Sequence, residues 1–471
     1  MGKNYSLSTK AYAMNQQYNL IYPTIDLFVY DLQQGLGQTD EQINQNRHYF
    51  WRKIQPDLNK DYEKVKDDDL LKQLATLEKT EADYVELLVP EKQENFQPDL
   101  AGYYHALQLG DTYALQVDCS VIDDNISKPV SRFQDIKQNI ESRTHHQKGK
   151  IGQTWFVWGQ LEKIYNPEEI RAIAQQCYKQ INPNFQGKIA LQNQSNFLGT
   201  TAFEVWEQPS DWTNEESFKD SFHILICLFP SQQSLKDITE SIANIYFDLI
   251  RLLCYRHKIL WAYHQSRKLK SRIKKDFNEV RETVKKIRDL GQQLNNGRPN
   301  LDELQKTLTD TLTTLSEYAI NLSYLDDQGR TIKVNLNNYK KRLEKISQEN
   351  SNSQLQSMQQ FGEFSADKYL LQIETDHINL SPGLTLLQNL ISTIQGTIDI
   401  YQAKSDRNLE NFIGSAGIGL ATSQIASSVL VAQYPPNCKT PFFLTTAFLW
   451  SVVAGVLTSI IAWIFFKKIR R

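Results

Sequence analysis

Two long apolar segments, residues 412–434 and 442–466, fall within the last 60 residues, separated by the seven-residue turn PPNCKTP and followed by KKIRR. A bilayer core takes about 20 apolar residues per helix, so this pattern predicts a two-helix transmembrane hairpin. No comparable stretch precedes it, which places everything before the first segment on one side of a membrane. Lysine and arginine near the ends of spans stay on the cytoplasmic side. Lys404 and Arg407 precede the first span, Lys467, Lys468, Arg470 and Arg471 follow the second, and the turn carries only Lys439. The expectation is a two-pass protein of the plasma (inner) membrane with both termini cytoplasmic and a basic tail over 467–471. The opening MGKNYSLSTK has no apolar core of a secretory signal. Gly2 and Ser6 fit a myristoylation pattern, but so short a match is better explained by chance.

Composition bears on partners. A net charge of -2 gives no electrostatic case for nucleic acid. The five cysteines, Cys119, Cys177, Cys227, Cys254 and Cys438, are scattered without a CxxC pair, as expected of reduced structural residues.

Up to residue 230 the chain reads as a mixed α/β domain, giving an α+β fold class once the later helices are added. Runs rich in β-branched and aromatic residues predict strands at 27–32, 84–89, 154–161 and 223–229. Gly110 and Asp111, between alternating runs over 103–121, predict a hairpin. Helical periodicity marks 40–54, 61–77 and 167–181.

From 231 to 348 the pattern becomes a long antiparallel helical region. Ser234 and Asp237 are placed to cap the first helix, and a second begins near Leu301. The segment DDQGR at 326–330 predicts a break with a shorter helix after it. Residues 349–364 are polar and poor in large aliphatics, so 349–380 reads as a linker and a short helix. Ser381 and Pro382 supply an N-cap and a first-turn proline for a helix without another proline until Pro435. At about 50 residues it would be about 75 Å long, forming a stalk over 381–434 that continues into the first span. The outer turn is then 435–441 and the second span 442–466.

Along this helix a seam recurs at alternating spacings of three and four: Leu384, Leu387, Ile391, Ile394, Ile398, Tyr401, Ser405, Asn408, Phe412, Ser415, Gly419, Thr422, Ala426, Val429 and Gln433. Its membrane part is small and polar. Small residues and hydroxyls mark close helix packing in hydrocarbon. Alternatively, if copies surround an axis, Asn408, Ser415, Gly419, Thr422, Ala426 and Gln433 line a path for a hydrated cation. Both readings stand at this point.

The layout resembles the CorA-like magnesium transporters: an α/β domain, a long helical pair, a stalk entering the first span, a short outer turn and a second span with a basic end. That family carries Tyr-Gly-Met-Asn at the outer turn; here Tyr434 and Asn437 are kept, while Pro435 and Pro436 replace Gly-Met. The resemblance implies a homo-oligomer, a pentamer in that family, with the first span lining the pore. It implies Mg2+ or another divalent cation as cargo, met at Tyr434 and by the Asn437 amide oxygen through ion-bound water. Asp399, Asp406 and Glu410, on the stalk near the membrane, are candidate regulatory cation ligands, although a solvated helix face is the commoner role.

No pattern for an enzyme is present: no GxSxG, no HExxH and no Gly-rich phosphate loop between strand and helix. The chain is therefore read as a non-enzyme without a bound cofactor. GSAGIG at 414–419 lies inside the first span, and the pair His145 and His146 sits in a polar loop. Six of nine residues at 267–275 are positive: Arg267, Lys268, Lys270, Arg272, Lys274 and Lys275. A solvated helix face accounts for them, with an anionic ligand or lipid headgroup as the sharper alternative. The rival to a channel is a membrane-anchored sensor or effector whose cytoplasmic domain binds a signal molecule or partner; a purely structural tether is the third possibility.

Overall fold

The computed structural model describes residues 17–54, 84–88, 92–97, 99–123, 126–184, 191, 194–293, 301–349 and 353–402, with isolated positions 450, 453, 457 and 458. In chain order the elements are strand β1 (Asn19–Leu32), helix α1 (Asp40–Trp51), and strands β2 (Val85–Glu86), β3 (Lys92–Gln97), β4 (Leu100–Leu109), β5 (Thr112–Val121) and β6 (Ser127–Pro129). Helix α2 (Arg132–Arg143), strand β7 (Gly152–Leu161), helix α3 (Pro167–Ile181), strands β8 (Gln194–Phe197) and β9 (Thr200–Glu207), helix α4 (Glu215–Lys219) and strand β10 (Phe222–Phe229) follow. The elements described after β10 are helical: α5 (Leu235–Gln293), α6 (Leu301–Glu349), α7 (Gln356–Phe364), a π-turn (Ser365–Leu370), α8 (Leu371–Leu380) and α9 (Pro382–Gln402).

Among the described residues, ten strands form one mixed sheet in the order β2-β4-β5-β1-β7-β10-β9-β8, with β3 on β4 and β6 on β1. β7 and β10 run parallel and the other pairs antiparallel. The strand expected at 27–32 is the end of a strand that starts at Asn19. The anticipated hairpin joins β4 to β5, and Gly110, at φ +61°, occupies the left-handed position that glycine takes without strain. Helix α3 has the predicted bounds, because Asn166 and Glu169 form a reciprocal capping box ahead of Pro167. The helix expected at 61–77 lies outside the described residues.

Three expectations are corrected. DDQGR does not break α6, which is continuous from Leu301 to Glu349. Arg330 binds Asp326 and Asp327 on its own helical face, and a Cβ at Gly329 would sit 3.3 Å from Ile373. The glycine thus permits close packing, and the charges satisfy one another at helical spacing. The polar stretch at 349–364 is not an open linker either: its second half is α7, with Met358 and Phe361 buried. A helix does begin at Pro382, but the Ser381 side chain does not cap it, since its hydroxyl and amide both donate back to the His377 carbonyl.

The chain divides into two compact units, one comprising Met1–Gln34, Asp40–Lys268 and Asp326–Glu374, the other Gly35–Thr39, Leu269–Leu325 and Thr375–Arg471. In the first, one face of the sheet is covered by α1, α2 and α3 through an apolar core that includes Trp51, Phe133, Ile136, Ile173 and Tyr178. The opposite face meets α5: the Tyr30 hydroxyl donates to the Ile250 carbonyl at 2.8 Å, and Phe28 packs against Tyr246. Arg342 and Lys345 of α6 both bind the buried Asp248 of α5. In the second unit Asp276 of α5 accepts from Asn321 of α6. α9 packs there too, its Gly383 directly against the Tyr318 ring and Leu387, Ile391, Ile394 and Ile398 buried.

Candidate functional site

Successive side chains on a strand point to opposite faces. On β1, Ile25, Leu27 and Val29 enter the apolar core, which leaves Thr24, Asp26, Phe28 and Tyr30 on the face toward α5. The same alternation on β5, β7, β9 and β10 puts Gln116, Asp118, Thr154, Trp158, Glu204 and His223 on that second face. Two clusters of buried ionisable groups result.

The first is an acid pair. Asp26 and Asp118 are direct partners in the β1–β5 register. Asp26 is fully buried and accepts from the Gln116 amide at 2.8 Å, the Tyr246 hydroxyl of α5 at 2.8 Å and the Trp158 indole at 3.2 Å. Asp118, which keeps a partly exposed edge, is hydrogen-bonded to Asp26. Two carboxyl groups so joined require a proton between them. With Asp26 already accepting from three donors, it is the carboxylate, and Asp118 carries the proton. Burial raises the Asp26 carboxyl to about 6, held back by the three donors. Burial, and then the Asp26 charge, drive Asp118 well above the ordinary range.

The second cluster links β7, β9, β10 and α5. The Thr154 hydroxyl lies 2.7 Å from both His223 Nδ1 and His257 Nε2, and His223 Nε2 is 3.0 Å from Glu204 Oε1. The same oxygen faces Arg256 Nη2 at 3.5 Å. Burial works to raise Glu204, but the His223 hydrogen bond and the Arg256 charge outweigh it and bring the carboxyl down to about 2. Burial, then Arg256, lowers His223 to about 4 and His257 further below its ordinary value. These charge states assign every proton in the chain. His223 donates from Nε2 to the Glu204 carboxylate, so its Nδ1 accepts from the Thr154 hydroxyl, whose oxygen accepts from His257 Nε2. Arg256, 2% exposed, lies between the rings of Trp206 and Phe361 at 4.9 and 4.3 Å. Its Nε and Nη1 have no hydrogen-bond partner among the described residues.

Thr154, His223 and Glu204 have the order of a hydroxyl–base–acid triad. Their relative exposures of 0, 2 and 6% and the His257 ring on the far side of the hydroxyl leave no approach for a substrate. The arrangement holds the sheet to α5; a nucleophile would need access it does not have. A Cβ at Gly152 would collide with the His257 ring, so this glycine admits the ring against the strand. Among the described residues no three His, Cys, Asp or Glu side chains are grouped to hold a metal ion.

Of the residues singled out from the sequence, Asn408, Ser415, Gly419, Thr422, Ala426, Gln433, Tyr434, Asn437, Asp406 and Glu410 lie outside the described residues. Asp399 is exposed on α9. Among the described residues no helix is long and apolar enough to cross a membrane. The seam's first part faces inward within one chain: Leu387, Ile394 and Ile398 are fully buried, and Ile391 nearly so. In the basic stretch, Lys268 binds Glu215 at 2.7 Å, Lys270 binds Asp376 at 2.6 Å and Lys275 approaches Glu279 at 3.9 Å. Arg272 and Lys274 are exposed. His145 and His146 occupy an exposed turn. Cys119, Cys177, Cys227 and Cys254 are buried free thiols, and Cys438 lies outside the described residues.

Sequence reasoning passed over Asp26, Asp118, Thr154, Glu204, His223, Arg256 and His257. The available signal was a charged residue at an alternating position of an apolar strand, as in TIDLFVYDL and HILICLF. No protein-family model, no curated protein and no solved structure matches this chain.

Proposed function

We propose that the chain is an oligomeric membrane cation channel or transporter of CorA-like architecture, with a pore formed by the helix over 412–434. The observation that carries this reading is the change of the seam along the sequence. Through Ile398 the seam is apolar and used up by packing inside a single chain. From Ser405 onward it turns small and polar, entering an apolar segment where polar groups are costly unless they face one another or water. α9 is still helical at Gln402, ten residues before that segment begins. A cation path lined by Asn408, Ser415, Thr422 and Gln433 gives those groups a solvated partner. Tyr434 and Asn437 would meet the hydrated ion at the outer turn, and Mg2+ or another divalent cation is the cargo. Asp399, Asp406 and Glu410 would serve regulation by the same ion on the cytoplasmic side.

Flux through the purified full chain in liposomes tests the proposal. Thr422→Trp should abolish cation uptake, and Asn437→Ala should reduce it while assembly is retained. Uptake of no monovalent or divalent cation by the wild type would sink the channel reading. The second reading, a membrane-anchored sensor or effector, is favoured by one specific observation, the two ionisable clusters between sheet and α5. Under it Thr422→Trp would weaken assembly with no transport to lose.

A further inference from the structure

We propose that Asp26 and Asp118 form a one-proton joint between the sheet and α5, closed while the pair holds its proton and loosened when the proton leaves. The geometry carries the argument. The two carboxyls are cross-strand partners on one face, joined by a hydrogen bond that exists only while one proton is present. Tyr246 brings α5 into the same network through its 2.8 Å bond to Asp26. Asp26 is fully buried, whereas Asp118 keeps a partly exposed edge through which water can deliver or remove the proton.

The groups around the pair offer no substitute for that proton. Gln116 of β5 donates its amide to Asp26 and also to the Tyr103 hydroxyl at 3.1 Å; Tyr103 of β4 is the register partner of Asp118. His105 of β4 is paired with Gln116. Trp158 of β7 donates its indole to Asp26, and Tyr22 of β1 meets Ser120 of β5 at 3.2 Å. From α5 comes Tyr246, a phenol that burial and then the Asp26 charge hold well above its ordinary value, so it stays a donor. Every group in contact with Asp26 among the described residues is therefore a neutral donor. Once Asp118 ionises, two carboxylates lie side by side with no cation against them among the described residues, and like charges at that separation repel strongly. The contact that yields is the one joining β1, β5 and Tyr246.

Linkage sets the sign. A carboxyl that holds its proton in the fold at a pH where the unfolded chain has lost it stabilises at low pH, and that contribution disappears as pH rises. Between pH 7 and 8 aspartates and most histidines of the unfolded chain are already deprotonated. The proton on the pair should therefore reduce the folding constant by up to roughly tenfold per pH unit, from the range where the unfolded aspartates have ionised to the pH at which the pair gives its proton up.

The test is thermal unfolding of the purified full chain in detergent from pH 6 upward until the wild-type profile levels off, with infrared spectra of the carboxyl region. Asp118→Asn supplies a permanent amide donor in place of the protonated acid. It should unfold at a midpoint independent of pH between pH 7 and 8 and lack the protonated-carboxyl band that the wild type shows at pH 7. Tyr246→Phe keeps the pair but removes a donor from the carboxylate, which raises the pH at which the pair ionises, so its falling limb should end at a higher pH than that of the wild type. A wild type without the band, or an Asp118→Asn profile parallel to the wild type, would overturn the proposal. Should Asp118→Asn fail to fold, the band and the direction of the Tyr246→Phe displacement decide the matter.

Discussion

Glu204 and Asp26 are both buried carboxylates on the same face of one sheet, yet their ionisation differs by orders of magnitude: about 2 for Glu204 and about 6 for Asp26. Burial raises both. Glu204 faces a guanidinium and an imidazole N–H, whereas Asp26 faces an amide, a phenol and an indole. Neutral donors soften the cost of burying a carboxylate; only a cation reverses it. The consequence passes to the neighbours. Beside Arg256, the histidines are held neutral, and beside Asp26, Asp118 is held protonated.

The largest test of this contrast is removal of each carboxylate. Glu204→Ala strands the buried Arg256 charge and should cost about 3–5 kcal/mol in chemical denaturation. Asp26→Asn removes a charge that no cation requires and should cost about 1–2 kcal/mol, from rearranged hydrogen bonds. Equal costs would erase the distinction. Next comes acid sensitivity. His223 is neutral in the fold at about 4 and ordinarily titrates near 6.5, so the unfolded chain binds the extra proton between those values and stability rises with pH across them. The contribution amounts to about 3 kcal/mol, and His223→Gln should lose it while keeping both hydrogen bonds. Smallest is the indole bond: Trp158→Phe should cost about 1 kcal/mol and raise the pH at which the acid pair ionises.

The sequence makes local structure legible where local chemistry decides it. Pro167 with its capping box, the Gly110 turn and the β-rich run at 154–161 mark α3, the β4–β5 hairpin and β7. DDQGR misleads because its charges and glycine resemble a loop when taken alone, while in the helix they pair at i,i+3 and i,i+4 and admit Ile373. Ser381 misleads in the same way, since a serine before a proline caps a helix only if the preceding chain is not already helical. The two clusters were not legible because they depend on register. Asp26 meets Asp118 through β1–β5 pairing, and His223 reaches Glu204 through β9–β10, alignments that no local pattern specifies. The buried seam at Leu387, Ile394 and Ile398 was visible as a periodicity, although its partners within the chain were not.

The contrast between the clusters is most directly tested by the thermal midpoint of the full chain between pH 4.5 and 6. In that interval His223 and His257 each make the unfolded chain the better proton acceptor, while Asp26 and Asp118 each make the folded chain the better one. The four effects oppose one another in pairs. The account predicts that, relative to the wild type, Asp118→Asn tilts the profile upward with pH and His223→Gln tilts it downward, each by roughly tenfold in the folding constant per pH unit. Profiles of both variants parallel to the wild type, or tilted in the same direction, would contradict it.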